Sequence, residues 1–262
     1  MSLLMPSIRI LGAYGTKSPT CGSSAFLVND KHTIDAGNIL IPLNEKSVDI
    51  ETIWLTHSHL DHISDIAFML DNYYAKRTKS LCIRGLKATL NTLKTHFFNH
   101  KIWPDFSQIP LSNGIDMCLV YEEISLGIPY SIADSCYIEA FATDHTVPSC
   151  GYIITQADKS VLISADTYSL ETVIEAVKHK KDISSLVIEC SFPSSLNALA
   201  KESKHLTPEL LFSQLKQIKN EKLKLYINHM KPSYIKEISE EIEILKGEWD
   251  VTLLTDGALI YF

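Results

Sequence analysis

The chain has 262 residues, 45% hydrophobic and 21% charged, the balance of an ordinary soluble globular protein with a sizeable core. Its net charge of −7 argues against a protein built to grip nucleic-acid backbone, yet leaves room for a small anionic substrate if cations line the cleft. The 6 cysteines are scattered with no C-x-x-C pair, which points to reduced thiols and a cytoplasmic setting.

The opening MSLLMPSIRIL has no basic n-region and too short an apolar run for a signal peptide, and no stretch is long enough for a membrane span. Short β-type runs follow at Ser7–Leu11, Ser24–Val28, His32–Asp35 and Thr52–Leu55, separated by Gly, Pro and Asn turns. Next comes Thr56-His57-Ser58-His59-Leu60-Asp61-His62, then a helical pattern at Ile63, Ile66, Ala67, Leu70, Tyr73 and Tyr74. The segment from Phe97 to Pro110 is aromatic-rich and poorly periodic, and reads first as core packing or a subunit interface. The second half predicts strands at Cys136–Ala142, Gly151–Thr155, Val161–Ser164, Leu186–Glu189 and Lys224–Asn228, with helices near Ser169–His179, Thr207–Lys219 and Tyr234–Leu245. Strands Val251–Leu254 and Leu259–Tyr261 close the chain. No linker or repeat divides it, so one domain over residues 1–262 is expected, with two sheets packed face to face and helices outside.

Three imidazoles and a carboxylate within His57–His62 form a ligand density that no ordinary segment needs, and the donors suit Zn, Mn or Fe. His57 and His59 project one way and Asp61 and His62 another, so the run reads as half of a two-metal site. About three further ligands are needed, and three candidates each follow an apolar strand: His145, Asp166 and His229. His205, in His205-Leu206-Thr207-Pro208, stands at the mouth of a predicted helix, where Thr207 as cap and Pro208 in the first turn fix its start. Lys178-His179-Lys180-Lys181 reads as a solvated helix end.

In these motifs, and in their order along nearly the whole chain from Gly12-Ala13-Tyr14-Gly15 to Asp256-Gly257, the sequence resembles the metallo-β-lactamase superfamily. The resemblance implies an α/β fold, an αββα sandwich with a dinuclear site between the sheets. His57, His59 and His145 would hold one metal; Asp61, His62 and His229 the other; Asp166 would bridge both. Within the superfamily the chain is most similar to class II cyclic-nucleotide phosphodiesterases. It shares Leu60 between the second His and the Asp, and also Ile188-Glu189-Cys190-Ser191-Phe192, His205-Leu206-Thr207-Pro208 and His229-Met230-Lys231-Pro232. The chain departs in its short length and in Tyr14-Gly15, where that family has a Gly pair.

The function implied is hydrolysis of a 3′,5′-cyclic nucleotide to the 5′-monophosphate by a hydroxide bridging two divalent ions, zinc for preference. His205 would protonate the leaving alkoxide or contact the phosphate, and Asp61 would assist the hydroxide as well as bind metal. A homodimer is the family-level expectation. A ribonuclease Z-like RNA phosphodiesterase is the runner-up. The acidic chain, the short segment from His145 to Asp166 and Ile163 in place of an acidic residue count against it. A thioester hydrolase like glyoxalase II normally has a Gly pair where this chain has Ser64-Asp65. A di-iron redox partner would need a carboxylate at His59. A non-catalytic scaffold on the same fold would have lost ligands. On the phosphodiesterase reading, Trp103 in the aromatic segment has a second interpretation, as part of a flap over the nucleotide base.

Overall fold

The computed structural model describes residues 7–218 and 223–261. In the first half, β1 (Ser7–Gly12), β2 (Ala25–Val28), β3 (His32–Ile34), β4 (Thr52–Trp54), β5 (Leu81–Gly85) and β6 (Leu119–Glu123) lie in one sheet. In the second half, β7 (Pro129–Ala133), β8 (Cys136–Ala142), β9 (Cys150–Gln156), β10 (Lys159–Ile163), β11 (Ile183–Glu189), β12 (Lys224–Asn228) and β13 (Asp250–Leu253) form another. The closing strand β14 (Leu259–Tyr261) returns to pair antiparallel with β1. Both sheets are mixed, with parallel runs β3–β6 and β10–β13.

The central strands are buried on both faces, so alternate side chains enter different cores. Val161 and Ile163 of β10 and Val187 of β11 meet Ile8, Ile10, Phe26 and Trp54 between the sheets. Leu162, Leu186 and Ile188 point the other way, onto the helices. On the first sheet's outer face lie α1 (Leu40–Leu43), α2 (Leu60–Asn72) and α3 (Lys87–Thr92), the last continued by a wider π turn through Phe97. In the second half come α4 (Glu171–His179), α5 (Asn197–Ser203), α6 (Pro208–Leu215) and α7 (Ile235–Leu245), of which α4, α6 and α7 cover the second sheet. The result is the expected four-layer αββα sandwich.

Several boundaries differ from the sequence reading, each for a physical reason. The helix after the histidine run begins at Leu60, so Asp61 and His62 already sit in its first turn. Leu60 is exposed, so apolar periodicity does not mark that start. The helix expected over Thr207–Lys219 ends at Leu215, although Ile218 remains buried; Lys219 lies outside the described residues. Thr207 does cap it, its side chain accepting from Leu210 N–H. Strands β5 to β7 carried weak signals: β5 alternates Leu81 and Ile83 with Cys82 and Arg84, and β7 is an edge strand that opens with proline. Asp65, at the place where thioester hydrolases have glycine, is a buried brace. It accepts from Ile39 N–H at 2.7 Å and Leu40 N–H at 2.9 Å and pairs with Lys17.

The aromatic segment packs into the core rather than standing free. Phe98 and Phe106 are buried, and Trp103 stacks edge-on against Phe68 of α2 with centroids 5.2 Å apart. Trp103→Ala is accordingly expected to cost about 2–3 kcal/mol of stability, below the range for a fully enclosed aromatic. Thermal unfolding checks this. A raised KM at unchanged Tm would restore the covering role.

Candidate metal centre

Strands β3, β4, β8, β10, β11 and β12 deliver their following residues to one rim of the sandwich, the usual place for a site in sheets with parallel strands. His57 and His59 follow β4, Asp61 and His62 open α2, His145 follows β8, Asp166 follows β10 and His229 follows β12. All seven residues expected as ligands converge there. His57, His59 and His145 form one group, and Asp61, His62 and His229 form a second, with ligand atoms in each group within 4.8 Å of one another. Asp166 lies between them. Its Oδ2 is 3.7 Å from His57 Nε2, 3.9 Å from His145 Nε2 and 3.4 Å from His62 Nε2, while Oδ1 is 3.2 Å from His229 Nε2.

Hydrogen bonds behind the rings decide which nitrogen faces inward. His62 Nδ1–H donates to Asp35 Oδ2 at 2.7 Å, and Thr56 Oγ1–H also donates to Asp35. With its proton committed there, Thr56 Oγ1 accepts from His57 Nδ1–H at 3.0 Å. His145 Nδ1–H donates to the Lys204 carbonyl at 3.1 Å. Ser191 Oγ–H donates to Glu189 at 2.7 Å and accepts from His229 Nδ1–H at 3.0 Å. Four rings therefore turn Nε2 toward the centre. His62 Nε2 faces His229 Nε2 at 3.2 Å, and His145 Nε2 faces His59 Nδ1 at 3.2 Å.

With neutral rings, lone pairs facing each other at that distance repel unless a cation joins them. Donors about 2.0–2.1 Å from a tetrahedral ion stand about 3.3 Å apart, which matches both contacts. His57 Nε2 and Asp166 Oδ1 are buried with no hydrogen-bond partner, an expense that a protein rarely tolerates without an ion. The donor set thus fits divalent metal binding. Burial holds the imidazoles of His57, His59 and His145 below their ordinary range, in the neutral form that ligates. Burial opposes charge on His62 and Asp166 too, but their neighbours prevail. Asp35 and Asp166 raise His62, and His229 and His62 depress Asp166.

Backbone conformation supports this placement. Asp35, Ala165, Lys204 and His229 all have φ between 53° and 62°, each at or beside a site residue. Left-handed backbone at non-glycine residues costs of order 1–3 kcal/mol and concentrates at functional sites. Gly15 is needed because a Cβ there would meet His229 O at 2.6 Å and His229 Nδ1 at 2.7 Å.

His205 joins the centre from the second half. Its ring lies 5.1 Å from His145 and 5.5 Å from His229, centroid to centroid. Nδ1–H donates to Glu189 Oε1 at 2.8 Å. Burial works against its charge, but Glu189 outweighs this and lifts the pKa above the ordinary imidazole range. Sequence reasoning missed Asp35 and gave Thr56, Glu189 and Ser191 no role. Asp35 follows the three-residue strand His32–Ile34, which lacks the apolar run that singled out Asp166. Because Asp35 orients His62 and, through Thr56, His57, Asp35→Asn is expected to weaken metal binding about 10–100-fold at nearly unchanged fold. Zinc titration against a competing chelator checks this; unchanged affinity would reduce Asp35 to a loop brace.

The fold is the metallo-β-lactamase fold, and the donors at its rim suit a metal-dependent hydrolase. Crystal structures with the same fold include unliganded yeast PDE1, with TM-score 0.83 at 18% identity, covering 99% of this chain and 100% of that one. The metallo-β-lactamase fold protein YhfI of Bacillus subtilis has TM-score 0.76 at 16% identity, covering 98% and 100%. Human tRNase Z, short form, has TM-score 0.69 at 19% identity, covering 97% and 98%. The sequence profile of the class-II cAMP phosphodiesterases matches residues 35–248, and the chain belongs to that family. A 74-residue stretch is 34% identical to 3′,5′-cyclic-nucleotide phosphodiesterase 1 of Saccharomyces cerevisiae, spanning 28% of this chain and 20% of that protein.

Proposed function

We propose that the protein hydrolyses a 3′,5′-cyclic nucleotide to the 5′-monophosphate in a metal-dependent reaction. The observation that carries this is the two pairs of ring nitrogens facing each other at 3.2 Å on either side of Asp166, in a chain of this phosphodiesterase family. His57, His59 and His145 would hold one divalent ion, Asp61, His62 and His229 a second, and Asp166 both. When bound, such ions supply a lowered pKa for water and charge stabilisation at phosphoryl oxygens, and zinc suits the donors best.

The chain's own groups define the rest. Asp61, partly exposed at the rim, accepts the proton of the attacking water. His205, held by Glu189 with its other nitrogen free, donates a proton to the departing 3′ oxygen. Six free cysteines support a reducing, cytoplasmic setting, and no helix among the described residues is long and apolar enough to cross a membrane. An RNA substrate is less favoured. Between His145 and Asp166 the chain forms only the β9–β10 hairpin, with no room for a gripping arm, and the net charge is −7.

The test is turnover of a panel comprising cyclic AMP, cyclic GMP, bis(p-nitrophenyl) phosphate and precursor tRNA. Preferred hydrolysis of a cyclic nucleotide is expected. Cleavage of precursor tRNA with no cyclic-nucleotide turnover would overturn the reading.

A further inference from the structure

We propose that Phe192 and Tyr234 form the platform on which the substrate's base stacks, and so make this site select nucleotides over other phosphodiesters. The inference rests on the phosphodiesterase reading and names the part of the substrate that reading leaves unassigned. A phosphodiester centre of His and Asp can bind a phosphate but has nothing to hold a planar, apolar base. A line of rings leads away from it. His205 borders the centre at His145 and His229; Phe192 lies 5.7 Å beyond His205, and Tyr234 6.1 Å beyond Phe192.

Three of the largest rings are committed elsewhere. Trp54 and Tyr152 are fully buried between the sheets, and Trp103 packs on the outer side of α2. Tyr234, in contrast, is only partly buried where it packs against the second sheet's outer core, and Phe192 beside it keeps 8% of its surface exposed. It ends a short turn, Pro232–Tyr234, directly after the centre's His229. In the same turn Lys231 is fixed by donating to the Gly15 carbonyl at 2.6 Å, and its cation lies close enough to act on His205. The turn therefore brings a cation and an aromatic face together at one side of the centre, the combination that a nucleotide's phosphate and base require. Phe192 follows Ser191, whose hydroxyl ties to Glu189, so the platform is built on the segment that also fixes His205 and His229. Stacking on an aromatic face is tolerant of base identity, so the platform favours nucleotides as a class.

The experiment compares Tyr234→Ala, Tyr234→Phe and Phe192→Leu with the parent chain, each metal-loaded. Tyr234→Ala is expected to raise KM for cyclic AMP about tenfold or more with kcat within about twofold, and to leave KM for methyl p-nitrophenyl phosphate unchanged. Tyr234→Phe keeps the ring and should behave like the parent, and Phe192→Leu should show the same selective rise as Tyr234→Ala. Calorimetric binding separates this proposal from the function itself. The parent should bind 5′-AMP at least about tenfold more tightly than ribose 5-phosphate, and Tyr234→Ala should erase the difference. A parent that hydrolyses aryl phosphodiesters but no cyclic nucleotide would sink the functional reading, while the calorimetry would still decide the platform. Equal KM changes for both substrates, or an undiminished preference for 5′-AMP in Tyr234→Ala, would overturn the proposal.

Discussion

Asp166→Ala is expected to abolish measurable turnover and to leave the purified protein short of metal at both positions. Asp166 turns its oxygens toward both groups: Oδ2 faces His57, His62 and His145, and Oδ1 faces His229. Losing one preorganised electrostatic group in an active site typically costs about 10²–10³-fold. A carboxylate shared by two ions should exceed that, because both coordination shells open at once. Asp166→Asn is the sharper variant, since it keeps the shape and one acceptor. It should retain the fold and still fall by at least about 10³-fold. Activity and metal content near those of the parent would show that Asp166 only braces its neighbours.

The second large effect concerns His205. His205→Ala should cut kcat about 10²–10⁴-fold, the usual contribution of a general acid, while metal content stays near normal. The loss should be much smaller for a p-nitrophenyl ester, whose leaving group needs no proton. Glu189 tests the same role by direction. It raises the His205 pKa, and a general acid loses activity as pH rises through its pKa. Glu189→Gln should therefore move the alkaline limb of the kcat profile to lower pH. Loss of a metal in His205→Ala would make it a ligand instead. An alkaline limb unmoved in Glu189→Gln would remove His205 from proton transfer.

What could be read from the sequence follows from how strongly chemistry restricts residue type. Ligands must be His or Asp, and His57 to His62 are forced close in sequence because one strand end and one helix start supply them all. The later ligands were legible because each follows a largely apolar strand within three residues: His145 after β8, Asp166 after β10 and His229 after β12. Asp35 was not legible. After the short strand β3 it looks like any turn aspartate, and only the fold brings His62 and Thr56 of another strand–helix junction onto it. Ser191 is similar: a lone serine whose importance lies in joining Glu189, His205 and His229. The edge strands β6 and β7 were missed because half-exposed strands with polar residues carry little apolar periodicity, and β5 because its five residues include Arg84 and end in glycine.

The central claim is a centre that holds two ions in a chain that hydrolyses phosphodiesters. Elemental analysis of the active protein, counted against chain concentration and followed through chelation and metal return, tests it most directly. Two divalent metals per active chain are predicted, with turnover lost on chelation and restored on return of the metal. Full activity with at most one bound metal per chain would contradict it.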